Sequence, residues 1–126
     1  MTDVADPNLA DAHLARARRA LAEGDDAAAI MWSSLCAEVA MDRVAAGNGI
    51  DARKDHFRRA SVARRLFEMG VLPEDLGDLL IRLNAERKQA VYEGHAPDLR
   101  GRTWEQVLDS LAELVDIASR AAGPAE

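Results

Sequence analysis

The stretch DAAAIMWSSLCAEVAMDRVAAG, residues 26–47, constrains the fold more than any other part of the chain. Alanine dominates it, β-branched residues are sparse, and neither proline nor glycine interrupts it before Gly47, so an α-helix is the backbone of lowest free energy. Asp25 or Asp26 is placed to cap its start, and Gly47 to stop it. Met31, Leu35, Val39 and Ala46 recur at helical spacing. Apolar side chains nevertheless occupy much of the circumference, a pattern that belongs at the centre of a bundle or at a subunit contact.

The rest of the chain divides the same way. DPNLADAHLARARRALAEG reads as a helix with Asp6 as N-cap, Pro7 in the first turn and Gly24 as the stop. A third helix is expected from about Asp51 to Met69, with Phe57, Ala60, Ala63 and Phe67 on its buried side and Gly70 ending it. Pro73 fits the first turn of a fourth, which is expected to continue to Gly94 before the loop HAPDLRGR. Thr103 and Gln106 have the spacing of a capping box. They introduce a fifth helix whose buried stripe is Trp104, Leu108, Leu111, Val115 and Ala118, ended by Gly123 and Pro124. Short connections between long helices make neighbours antiparallel. The expected fold is therefore all-α: an up-and-down antiparallel bundle of four long helices plus a fifth, C-terminal one. It is expected to form a single domain over 1–126 with a core of about 7–122 and short loose termini.

Aromatic residues are only 4% of the chain, so the core must be aliphatic. The single cysteine, Cys36, cannot form an internal disulfide; no secretion signal and no apolar run of spanning length is visible, and a cytoplasmic protein with no membrane contact is expected. Three scattered histidines and one cysteine offer no metal-ligand spacing, and GNGIDARKD lacks the pattern of a phosphate loop, so neither metal nor cofactor is expected. Ser33, Ser34 and Cys36 lie inside an apolar helix without a partnered base and read as packing residues.

A net charge of −6 argues against indiscriminate nucleic-acid binding. The middle of the chain is net positive between negative flanks. Its segment ARKDHFRRASVARR, with six basic residues and one acidic, gives an anionic partner a landing place at Arg58 and Arg59, or else forms a solvated helix face.

The stretch LNAERKQAVYEGHAPDLRGR concentrates the remaining chemistry. Along the fourth helix Leu76, Leu80 and Leu83 lead to Arg87, so an arginine takes a core-facing place. Its charge persists at any accessible pH and needs carboxylates, carbonyls, a phosphate or a wet interface. A pairing with Glu38 or Asp42 would satisfy it as well as a ligand. Lys88 and Tyr92 fall on one helical face, and His95 opens the loop beyond. Taken singly, His13 and His56 read as surface or packing residues.

A small bundle that begins LARARRALAEGDDAAAIMWSSLCAEVAMDRV and ends its fourth helix LNAERKQAVYEG resembles the prokaryotic HEPN superfamily over roughly residues 9–120. That resemblance implies a homodimer with a polar groove at its interface. It also implies a place in a defence or toxin–antitoxin system, with RNA, a nucleotide, a cognate antitoxin or a nucleotidyltransferase as partner. In active members an arginine, followed after four to six residues by a histidine, cleaves RNA without metal. Imidazole can take the ribose 2′-hydroxyl proton, and guanidinium can stabilise charge on the attacked phosphate. Arg87 matches the arginine; Tyr92 stands where the histidine falls at a gap of four, and His95 comes after seven intervening residues. A phenol is a poor base near neutral pH but a good donor and stacking surface. Binding through Arg87, Lys88 and Tyr92 without efficient cleavage is the first expectation. The alternatives are a metal-independent endoribonuclease using Arg87 and His95, and a purely structural interaction protein.

Overall fold

A computed structural model describes residues 8–53, 55–92 and 96–122, and the side chains of His56 and Ala122 are not among those described. Among the described residues five helices follow one another: α1 (Leu9–Ala22), α2 (Asp26–Gly47), α3 (His56–Glu68), α4 (Gly77–Gln89) and α5 (Trp104–Ala122). The fold is an all-α helical bundle. α2 packs against each of the other four helices, with α1 and α5 touching on one side of it and α3 and α4 touching on the other. This central position is what its all-round apolar sequence demands.

Local chemistry sets most boundaries. Asp25 caps α2 by accepting the Ala28 N–H at 3.0 Å. Thr103 Oγ1 accepts the Gln106 N–H at 3.0 Å while Gln106 Oε1 accepts the Thr103 N–H at 2.9 Å, the reciprocal capping box read from the sequence. α3 starts later than expected, at His56 rather than Asp51, because Asp55 makes the cap, accepting the Arg58 N–H at 2.8 Å. Pro73 lies before α4 and not in its first turn. The chain first packs Leu72 and Leu76 into the core, and α4 opens at Gly77, whose N–H bonds Asp75 Oδ1 at 2.9 Å. α1 begins at Leu9 with Asn8 in the cap position, later than the expected cap at Asp6, and α4 stops at Gln89, short of the expected end at Gly94; Asp6, Gly94, Gly123 and Pro124 themselves lie outside the described residues.

Two expected stripes are met only in part. In α2 the buried side chains include Ile30, Ala37, Met41 and Val44, whereas Met31 and Ala46 are exposed and Leu35 and Val39 half-buried. An almost uniformly apolar helix has no polar side to orient it, so spacing alone cannot choose its inner face. In α3 Ala60 and Ala63 are buried as expected, but Phe57 and Phe67 are exposed, and Val62 and Leu66 fill the core in their place. α5 follows expectation more closely: Leu108, Leu111 and Ala118 are buried, and Trp104 and Val115 half-buried.

Candidate functional site

Arg87 sits in the last turn of α4, half-buried beside the core. Its Nη2 donates to Asn84 Oδ1 at 2.6 Å, one turn back on the same helix, and Asn84 is itself buried. Nε is buried and has no hydrogen-bond partner among the described residues. A guanidinium offers five N–H donors, so one amide oxygen leaves capacity for a further acceptor. Glu38 and Asp42, the carboxylates considered for Arg87, face Arg59 instead. Arg59 Nε and Nη2 reach Asp42 at 2.7 and 2.9 Å, and its Nη1 lies 4.0 Å from Glu38. Asp42 raises the Arg59 pKa, chiefly through that hydrogen bond. Arg59 thus clamps α3 to α2, while Arg58 is exposed and donates Nε to the Asp51 carbonyl at 3.2 Å.

Lys88, which follows Arg87 in the chain, and Tyr92 are both exposed. They do not share one helical face, because α4 ends at Gln89 and a turn carries Tyr92, whose N–H bonds the Gln89 carbonyl at 3.0 Å. Two positive side chains in a final turn are favoured by the negative end of the helix dipole, which itself opposes an anion there. A ligand at this place must therefore be held by the side chains and not by the backbone. His95 lies outside the described residues.

Glu86, one residue before Arg87, was not singled out by the sequence. It is buried at 4% exposure, its Oε2 accepts from Arg82 Nη1 at 3.2 Å, and its Oε1 accepts the Asp98 N–H at 2.9 Å. The segment that leads into α5 is thereby fastened to the helix that carries Arg87. Arg82, four residues before Glu86, is the only hint the sequence offers.

His13 is a packing residue. Its ring stacks on Trp32 with centroids 5.3 Å apart, and Arg16 covers Trp32 at 5.0 Å while donating Nη1 to His13 Nδ1 at 3.1 Å. Burial, and then the Arg16 charge, lower the His13 pKa. Cys36 is fully buried, and burial pushes its thiol up to about 12, so it is no nucleophile near neutral pH. Ser33 and Ser34 are buried with it in α2. Among the described residues no cluster of three or more His, Cys, Asp or Glu could hold a metal, and no helix is long and apolar enough to cross a membrane. The chain matches no protein-family profile, no curated protein and no solved structure.

Proposed function

We propose that this chain is a HEPN-like, homodimeric helical module that binds RNA through the end of α4 and does not cleave it efficiently. The observation that carries this reading is Arg87: a half-buried guanidinium, oriented by Asn84, with a buried Nε that no described residue satisfies. A phosphate oxygen is the acceptor this arrangement lacks. Lys88 adds a second positive charge, and the exposed ring of Tyr92 offers a base a stacking surface. Tyrosine in place of the family's histidine favours retention of the RNA over its cleavage. Dimerisation is assigned to the N-terminal half of α2, where Met31 is exposed and Leu35 half-buried. The setting that goes with this reading is cytoplasmic, in a defence or toxin–antitoxin system.

The test is fluorescence anisotropy with labelled single-stranded RNA in EDTA, followed by a gel of the same samples. Wild type is expected to bind and leave the RNA intact. Arg87→Ala should weaken binding by about 1–3 kcal/mol, the worth of a charge-assisted contact, and Lys88→Ala should reduce its salt dependence. Unchanged affinity in Arg87→Ala removes the site. Cleavage lost in both Arg87→Ala and His95→Ala would instead establish an endoribonuclease.

A further inference from the structure

A cleft of about 590 Å³ opens between the start of α1, the C-terminal half of α2 and the connection that follows α2. Neither Arg87, Lys88 nor Tyr92 lines it. Its walls are the aliphatic side chains of Leu9, Val39, Ala46 and Ile50; the charged residues that line it are Asp42, Arg43, Asp51 and Arg53. The volume lies within the range of small-molecule sites, which run to about 300–1,000 Å³ and are mostly apolar with a few placed polar groups.

Those polar groups are unequally occupied. Both oxygens of Asp42 already accept from Arg59, at 2.7 and 2.9 Å. Asp51 Oδ1 accepts from the Arg53 backbone N–H at 3.0 Å and from Arg53 Nε at 3.2 Å. Arg58 spends its Nε on the Asp51 carbonyl at 3.2 Å. Both oxygens of Asp42 and Oδ1 of Asp51 thus have donors, whereas the Nη groups of Arg53, an exposed guanidinium at the cleft, have no acceptor among the described residues. What is missing beside this greasy concavity is an acceptor, and an ionised one matches guanidinium best.

We infer that the cleft binds a small amphipathic anion, its aliphatic or aromatic body against Val39, Ala46 and Ile50 and its carboxylate or phosphate on Arg53. Asp42 and Asp51 stand against a cationic head at the same place. The site is independent of the RNA contact proposed at Arg87 and of the dimer contact at Met31.

Decanoate, decanol and decylamine, each kept below self-association, are titrated calorimetrically into wild type, Arg53→Gln and Ala46→Trp. Decanoate should bind at least about tenfold more tightly than decanol, a gap of about 1.4 kcal/mol, with decylamine weakest. Arg53→Gln should erase the preference for decanoate over decanol while leaving decanol binding unchanged. Ala46→Trp, whose indole fills the cleft, should abolish binding with the helical circular dichroism retained. Equal affinity for all three probes, or no binding of decanoate to wild type, overturns the inference. So does a wild-type dimer that Ala46→Trp dissociates in sedimentation, which would give the cleft to a second copy.

Discussion

Arg59 grips Asp42 through two donors, at 2.7 and 2.9 Å, and so ties α3 to α2 where both side chains are largely withdrawn from water. An interhelical pair of this kind is felt mainly when one partner is removed, because the survivor stays desolvated without its complement. Asp42→Ala is expected to lower the free energy of unfolding by about 1–3 kcal/mol in urea titration. Arg59→Lys retains the charge but not the two-pronged contact, and should fall between wild type and Asp42→Ala. A loss below about 0.5 kcal/mol for Asp42→Ala, the scale of a surface pair, would show that the clamp contributes little to the fold.

That pair also marks how far the sequence could be read. The helical class, the capping box at Thr103 and the central place of α2 follow from propensity, cap chemistry and apolar fraction, all local quantities. The inner faces of α2 and α3 do so only in part, as buried Ala60 and Ala63 beside exposed Phe57 and Phe67 show. α2 is apolar on every side, and α3 carries one series through Phe57 and Phe67 and another through Val62 and Leu66, between which only the packing partner decides. At the candidate site, the withdrawal of Arg87 toward the core and its proximity to exposed Lys88 could be read from helical spacing. That Asp42 and Glu38 would go to Arg59, and that Glu86 would hold the backbone of Asp98, depends on residues far apart in the chain meeting in space, which spacing does not encode.

Acid should weaken the packing of α1 on α2. The His13 pKa is lowered in the folded protein, by burial first and by the Arg16 charge second, so the unfolded chain binds a proton more readily. The stability tied to neutral His13 is complete above the unfolded value of about 6.5 and is lost as pH falls from there through the folded value. His13→Phe keeps a ring against Trp32 but cannot titrate. Thermal unfolding followed between neutral and mildly acidic pH should show a shallower decline in this variant than in wild type. Parallel declines would remove His13 as the cause.

Two glycines in close contact should answer alanine differently. A Cβ on Gly77 would stand 3.0 Å from the Ala60 carbonyl oxygen and 3.1 Å from Asp75 Oδ1. The first of these atoms belongs to the backbone of α3 and cannot withdraw without bending that helix. Gly77→Ala is expected to destabilise by about 1–3 kcal/mol, the cost of overpacking, despite the better helix propensity of alanine. A Cβ on Gly47 would meet the Ala121 Cβ at 3.1 Å and the Ala121 carbonyl oxygen at 3.3 Å, but that neighbour lies in the last turn of α5, and helix ends fray. Gly47→Ala should therefore fall within about 1 kcal/mol of wild type. The reverse order in chemical denaturation would mean that the end of α5 is the more rigid of the two.

Ser33 carries a hydroxyl into the heart of the bundle. The residue is fully buried in α2, and its Oγ has no hydrogen-bond partner among the described residues. Desolvating a hydroxyl without a compensating bond costs about 1–3 kcal/mol by the measure of protein substitutions. Alanine at this position removes the oxygen, keeps the methylene as a methyl and has the higher helix propensity. Ser33→Ala is therefore expected to raise the midpoint of urea unfolding while leaving the slope unchanged. Ser34→Ala, also in α2, serves as the comparison, because it brings the same change in propensity. A lowered midpoint for Ser33→Ala would mean that the hydroxyl finds an acceptor in solution and holds α2 in place.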